Sequence, residues 1–355
     1  MKNIVRQFKT QGELEKIEAY GTGDINLTYA CHFRNDDGSI TKYLLQRING
    51  RVFKDIDGLM KNIKLVSEFL NTKNEEYNMY LIPTVDDKDY YFDEEIKKYF
   101  RMYNFVENTT SFDYGNSEVN YEAAKVIGKF QKNLMDFDSG LLVETISNFH
   151  NSKKRYEDLQ YSILKDNTYR VRYLQKEIDF VEKRKHVLDD INKLVRENKL
   201  PSRVCHNDTK INNVLFDVVS HKGLCMIDFD TIMPGTLLYD FGDAIRYCCN
   251  EGREDETILD NVKFNLDYFE AFVKGYLEEC KDILTETEKE NLVKSCLVIT
   301  LECGIRFLTD YINGDVYFIV EREHENLDKA RVHFSLVEQI EKHYEELESI
   351  VKKYL

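Results

Sequence analysis

The chain has 355 residues, 42% of them hydrophobic, and a formal net charge of −15. That is enough apolar material for a sizeable core in two lobes. So acidic a chain argues against a nucleic-acid or anionic-membrane partner, each of which needs a clustered basic surface.

Residues 14–47 alternate in the period-2 manner of strands. Leu27, Tyr29, Cys31 and Phe33 fall on one face, and Asn35-Asp36-Asp37-Gly38 supplies a turn into a strand over 40–47. Between the first two strands, Tyr20-Gly21-Thr22-Gly23-Asp24 carries two glycines. They permit either a plain hairpin turn or a tight loop whose backbone N–H groups can approach phosphates. Val52, Ile56, Leu59, Ile63, Val66 and Leu70 make the stripe of an amphipathic helix over 52–70. Two further strands are expected at 79–82 and 99–105, with an acidic turn region, 86–95, between them. Past Glu107 the pattern turns helical: Ala123, Val126, Ile127, Phe130 and Leu134 mark one core helix, 145–156 is loop-like, and 171–199 predicts one long charged helix with a thin apolar stripe.

The stretch 204–246, VCHNDTKINNVLFDVVSHKGLCMIDFDTIMPGTLLYDFGDAIR, carries the chemistry. His206, Asp208 and Asn213 reproduce the H-x-D-x-x-x-x-N spacing of a kinase catalytic loop, and Asp228 follows Asn213 by fifteen residues, where kinases keep a metal-binding aspartate. A phosphoryl group in flight asks a protein for positioning, metal and proton removal rather than covalent chemistry. Asp208 is expected to orient and deprotonate the acceptor hydroxyl, Asn213 and Asp228 to hold magnesium through hard oxygens, and His206 to orient the loop. Alone, H-x-D also fits a core histidine beside a surface acid. The strand over 214–216, its partner over 223–227 and the turn between them return Asp228 toward Asn213, and that conjunction favours catalysis.

Further on, Asp240-Phe241-Gly242-Asp243 opens a helix through Cys249 in which Asp243 and Arg246 stand one turn apart, so Arg246 either pairs with Asp243 or meets substrate. Thr285 and Glu288 form a capping box for a helix running to about Ile312. Arg306 lies in its apolar second half and needs a partner, either Glu302 or Asp310 at helical spacing or an acceptor group. Residues 334–355 predict a single amphipathic cover helix. The eight cysteines form no C-x-x-C pair and read as reduced core thiols. MKNIVRQFKTQGEL carries no hydrophobic signal core and no run approaches eighteen apolar residues, so a cytoplasmic protein is expected.

HNDTKINN followed by MIDFDTIMPG and LYDFGDAIR resembles the phosphotransferase superfamily that includes aminoglycoside phosphotransferases and choline kinases, with Asn207 in place of the glycine common in the aminoglycoside enzymes. The D-T-K-x-x-N-x-L, I-D-x-D-T-x-M-P-G and D-F-G-D-x-I-R details, with IRFLTDYINGDVYF around Arg306, are most similar to N-acetylhexosamine 1-kinases. The resemblance implies an α+β, two-lobed protein-kinase-like fold: a small antiparallel-sheet lobe over 1–106 that binds nucleotide, and a larger helical lobe over 107–355 with the catalytic loop and the acceptor-sugar site. It implies ATP and Mg²⁺ as cofactors, Gly21 and Gly23 in a loop over ATP, and adenine on the backbone near Met102, Tyr103, Asn104 and Phe105. The slot for a phosphate-binding lysine falls on Gln46, which leaves Arg47 beside it as a candidate phosphate contact. Asp240 is implied as a brace for the catalytic loop. The stretch around Arg306 tips that residue toward acceptor contact, Arg246 keeps its two readings, the turn over 314–318 adds Asp315 and Tyr317 as lesser candidates, and a similar F-H-x-x-x-x-R-Y stretch in relatives brings His150 into consideration. The expected function is phosphorylation of an N-acetylhexosamine at its anomeric hydroxyl by a monomer or weak homodimer. A kinase of amino alcohols or aminoglycosides, and a nucleotide-binding sensor without turnover, are the alternatives left open.

Overall fold

The computed structural model describes residues 1–21, 25–73 and 79–355. Two compact units emerge: residues 1–109 with 142–146, and residues 110–141 with 147–355. The fold is the α+β, kinase-like one, a small antiparallel sheet in the first unit and a helical second unit.

In the first unit five strands, β1 (Glu13–Ala19), β2 (Leu27–Arg34), β3 (Ile40–Ile48), β4 (Tyr91–Asp93) and β5 (Lys98–Asn104), form one sheet in the order β1-β2-β3-β5-β4. Strand alternation sends Cys31, Phe33, Tyr43, Leu45, Phe100 and Met102 into one core with Ile4, Val5 and Phe8 of the amino-terminal segment. Leu27, expected on that face, is 43% exposed at the strand's start.

Three expectations are corrected here. The edge strand β4 lies inside the stretch taken for an acidic turn, where three residues are too few for a period-2 signal. Residues 79–82 make only a bridge, Leu81 opposite Tyr103, before Pro83 ends the run for want of an N–H. The helix placed over 52–70 begins at Ile56, because Asp55 caps it by accepting the Gly58 N–H at 2.8 Å. Asn62 of this helix exchanges two hydrogen bonds with Val143, which ties 142–146 to the first unit.

The second unit is built around the helix Leu292–Asn313, buried along almost its whole length. The helices Ser117–Asn133 and Leu266–Cys280 cross closely: Gly275 lies against the Tyr121 carbonyl, where any side chain would clash. The capping box at Thr285 and Glu288 is present, but it opens only the short helix Glu286–Glu290. The long helix expected over 171–199 is divided into Gln175–Arg184 and Asp190–Arg196. The Asp189-Asp190 pair favours a helix start over a helix interior, and the break lets Leu188 and Ile191 both turn inward. The cover helix is likewise two, Glu325–Lys342 and Tyr344–Tyr354. All eight cysteines are free thiols, and seven are buried.

Candidate active site

The strand Arg203–Cys205 runs into the loop 206–210 and one 3-10 turn, Ile211–Asn213. Asn207 adopts φ +62°. Left-handed backbone is cheap for glycine and next cheapest for asparagine, whose short amide bonds locally. Its Nδ2 donates to the Thr231 carbonyl at 2.8 Å, so the bend survives the loss of glycine.

Two buried carboxylates on the helix Leu237–Cys248, capped by Thr236, hold the loop. Asp240 accepts the N–H of Asn207 at 2.7 Å and of His206 at 3.0 Å, together with Gln131 Nε2 at 3.2 Å. Burial, the largest influence on Asp240, raises its pKa in spite of these donors. Asp243, one turn on, accepts the Thr209 N–H at 2.7 Å. Gly242 seats this helix: a Cβ there would stand 2.5 Å from the Ser295 carbonyl of the long buried helix.

Within the loop, Asn213 Nδ2 donates to the Asp208 carbonyl at 2.8 Å and to Asp208 Oδ2 at 3.0 Å. This leaves Asp208 Oδ1 facing Lys210 Nζ at 3.6 Å. The strands Val214–Asp217 and Gly223–Met226 pair with Val214 opposite Met226, and the Ile227 N–H donates to the Asn213 carbonyl at 2.9 Å. Asp228 therefore follows a residue bonded to Asn213, in left-handed backbone at φ +62°. His206 Nε2 meets the Ile227 carbonyl at 2.9 Å, so that nitrogen carries the proton, and its ring lies edge-on to Phe130 and Phe229. This buried ring orients the segment leading to Asp228.

Arg246 resolves to its internal alternative. Nε donates to Asp243 at 2.8 Å, Nη2 lies 2.7 Å from the same carboxylate, and Nη1 donates to Glu254 at 2.8 Å and faces His333 Nε2 at 3.3 Å. All three nitrogens are engaged, which removes it from the acceptor contacts. Glu254, Cys303 and His333 bring ligand atoms within 4.8 Å of one another, but the Arg246 guanidinium beside two of them opposes a cation there.

Neither acid at helical spacing is hydrogen-bonded to Arg306 among the described residues. Glu302 accepts from Ser152 Oγ at 2.5 Å and lies 2.9 Å from His150 Nδ1. Burial works against the Glu302 charge, but His150 and Ser152 outweigh it and its pKa is lowered. Asp310 accepts the N–H groups of Val316, Tyr317 and Phe318 and the Asn326 amide at 2.8–3.0 Å. With both carboxylates spent elsewhere, the Arg306 guanidinium lies 4.7 Å from the Phe149 ring centre and 5.7 Å from that of Phe318. Arg155, whose pKa is lowered by burial and then by the charge of Arg306, donates Nε and Nη2 to the Phe149 carbonyl. His150 is structural: it is buried against Tyr239, and 152–156, expected as loop, begin the helix Ser152–Lys165. Asp315 is also internal, accepting Arg170 at 2.6 Å, while Tyr317 is 40% exposed.

In the first unit, Gly21 follows β1 at φ +71°, and Gly23 lies outside the described residues. Gln46 pairs in register with Thr28 and Arg101. The fully buried Arg101 donates Nε at 2.9 Å and Nη2 at 2.8 Å to Gln46 Oε1. Arg47 lies on the opposite face, paired with Phe100. The arginine beside Gln46 is thus Arg101, which a cross-strand reading of 46 against 101 would have found. Met102, Tyr103 and Asn104 belong to β5, and two of their backbone groups are taken, since the Met102 carbonyl accepts the Ile82 N–H at 2.8 Å and the Asn104 N–H donates to Tyr80 at 3.2 Å. Those two groups, within the stretch expected to meet adenine, are thus spent inside the protein.

Comparison with known proteins agrees with this architecture. The chain is similar in structure to a microcompartment-associated aminopropanol kinase, with TM-score 0.63, 12% identity and 98% of this chain covering 97% of that one. It is similar to an aminoglycoside phosphotransferase from Alicyclobacillus acidocaldarius, with TM-score 0.62, 12% identity and coverage of 100% and 96%. An amicoumacin kinase in complex with AMP-PNP, Ca²⁺ and Ami matches with TM-score 0.60, 13% identity and coverage of 95% and 92%. Such identities speak to fold alone. The sequence itself matches the model of the phosphotransferase enzyme family over residues 85–277, more than half of its length and inclusive of the whole catalytic loop, and the chain belongs to that family.

Proposed function

We propose that the protein phosphorylates an N-acetylhexosamine at its anomeric hydroxyl, using ATP and magnesium. The observation that carries the acceptor class is Arg306, a guanidinium between two phenyl rings whose helical-spaced acids are both engaged elsewhere. It suits a neutral, oxygen-rich acceptor with an amide carbonyl. A cationic amino alcohol or aminoglycoside calls for carboxylates, and Asp243, Glu254, Glu302, Asp310 and Asp315 are all committed inside the protein.

The donor set fits a hard cation. Asn213 spends Nδ2 on Asp208 and presents Oδ1, and Asp228 adds a carboxylate. Bound magnesium ATP supplies the phosphoryl group and the positive charge that screens it. Phe105 to Glu107 offer backbone to the adenine edge. Asp208 does the proton chemistry: Oδ2 is fixed by Asn213, so Oδ1 takes the proton of the acceptor hydroxyl as the oxygen attacks. Asp240 and Asp243, through the N–H groups of residues 206, 207 and 209, keep that carboxylate at one position.

An acceptor panel tests this reading. With ATP and magnesium, N-acetylglucosamine or N-acetylgalactosamine should drive ADP release well above that with choline, ethanolamine or an aminoglycoside. Faster turnover with a cationic acceptor would overturn the sugar assignment.

A further inference from the structure

Of the six most exposed large apolar side chains among the described residues, four, Tyr161, Leu164, Tyr169 and Tyr173, fall within one short stretch, the end of the helix Ser152–Lys165 and the segment that follows it. Scattered singly such residues need no explanation, but gathered they mark a contact surface. A fifth, Val316, follows Asp315, which accepts Arg170 of the same segment at 2.6 Å. The segment is fixed on both sides of Tyr169: Thr168 Oγ1 donates to the Ile312 carbonyl at 2.8 Å and Arg170 Nη1 to the Tyr311 carbonyl at 2.6 Å. Between these anchors Tyr169 takes left-handed backbone at φ +59°, which is costly for a bulky residue, yet it is 74% exposed. So strained and so exposed a tyrosine does little for the core, and strain kept without a folding gain points to a contact.

The charge of this stretch is opposite to that of the chain. Residues 161–176 carry Lys165, Arg170, Arg172 and Lys176 against Asp166 alone, in a protein of net charge −15. Arg170 is spent on Asp315, while Lys165, Arg172 and Lys176 are exposed and form no ion pair among the described residues. The Lys165 ammonium lies 5.5 Å from the Tyr161 ring centre and the Arg172 guanidinium 4.7 Å from that of Tyr173, so each cation stands beside an aromatic face. That pairing suits a carboxylate next to an apolar side chain. A bilayer or a nucleic acid would press its extended negative charge on the acidic remainder of the protein as well, and a second copy meeting this surface with its own would set cation on cation. A short acidic segment meets the basic stretch alone. We propose that residues 161–176 dock such a segment of a partner protein, its carboxylates on Lys165, Arg172 and Lys176 and an apolar side chain on Tyr169 and Tyr173. The surface lies within the second unit, and the proposal stands apart from the phosphoryl-transfer reading.

Selection from a displayed library of random peptides, with the full chain immobilised, tests this. Peptides enriched on the wild-type protein should combine acidic residues with an aromatic or aliphatic one. Synthesised and read by fluorescence anisotropy, they should bind about tenfold or more weakly to Tyr169→Asn and to the double variant Lys165→Gln, Arg172→Gln. Asparagine accepts left-handed backbone, so Tyr169→Asn should melt no lower than wild type, and its loss of binding would not be a loss of fold. No enrichment over a surface without protein, enriched peptides that lack acidic residues, or equal affinity in the variants would each overturn the proposal. Two other occupants would overturn it by their own readings. Self-association in sedimentation that Tyr169→Asn abolishes would make the surface a contact between copies, and cosedimentation with phosphatidylserine vesicles that the double variant abolishes would make it a membrane contact.

Discussion

Replacing Arg306 by alanine separates a residue that reads the acceptor from one that holds the fold. In a buried ion pair, loss of the cation strands a carboxylate and costs roughly 3–5 kcal/mol. Here neither candidate partner would be stranded: Glu302 keeps His150 and Ser152, and Asp310 keeps three backbone N–H groups and Asn326. What the fold loses is the attraction to the Phe149 and Phe318 rings, about 0.5–2 kcal/mol each. Relief from burying a charge offsets part of that, for a net loss of about 1–2 kcal/mol. In a unit of this size the melting temperature should move by about 2–4 °C, against about 6–10 °C for a broken ion pair. The acceptor loses a hydrogen bond to a charged donor, worth roughly 1.5–3 kcal/mol, so its KM should rise about ten- to hundredfold. Thermal melting and steady-state kinetics with varied acceptor give both numbers. A large fall in melting temperature with unchanged acceptor KM would refute the reasoning.

Three further outcomes are expected. Asp208→Asn keeps the shape and the contact region of Asn213 but loses the base, so kcat should fall about a hundredfold or more with nucleotide affinity kept; an unchanged kcat would remove Asp208 as base. Asp240→Asn turns an acceptor into a donor facing the N–H of residue 206 or 207, and with partial relief of carboxylate burial it should destabilise by about 2–4 kcal/mol and lower kcat; a stable, fully active variant would show that the brace is dispensable. At neutral pH His333 is a neutral acceptor for Arg246 with its other nitrogen on the Lys329 carbonyl, and burial first of all lowers its pKa to about 4. A histidine whose folded pKa is depressed resists protonation, so its contribution is present above 6.5 and lost as pH falls from there toward 4. Glu254, held at about 2 against burial by Arg246, then His333 and Lys210, adds a loss below pH 4.5. The melting temperature should fall on acidification from pH 6.5, and His333→Gln should flatten the upper part of that fall; a flat wild-type profile would contradict it.

What could be read from the sequence was what local geometry fixes. His206, Asp208, Asn213 and Asp228 are joined by one short hairpin, so their spacing carries their placement. Asp243 could have been found as well, since it shares a helix face with Asp240 at i,i+3 and both receive loop N–H groups. The rest depended on distant partners. Arg306 was left between two readings because its outcome turns on Glu302 preferring His150 and Ser152, about 150 residues away in the chain. Arg246 took the opposite course because Glu254 and His333, from a loop and a distant helix, complete its shell. The strand Tyr91–Asp93 exists through pairing with β5 rather than through a pattern of its own. Periodicity also overran breaks at Asn291 and His343, where the apolar stripe continues and the backbone does not.

The regiochemistry of transfer tests the account most directly. Asp208 can activate only the hydroxyl held in line with the phosphoryl group, so one sugar oxygen should react and the others remain untouched. If that oxygen is O1, phosphorylation locks the ring, because the anomeric carbon can no longer open to an aldehyde. Incubation of free N-acetylhexosamine with ATP and magnesium should give a product without reducing-end reactivity, and the methyl glycoside of the same sugar should consume no ATP. Phosphorylation of the methyl glycoside, or a product that still reduces a mild oxidant, would contradict the account and move the transfer to another hydroxyl.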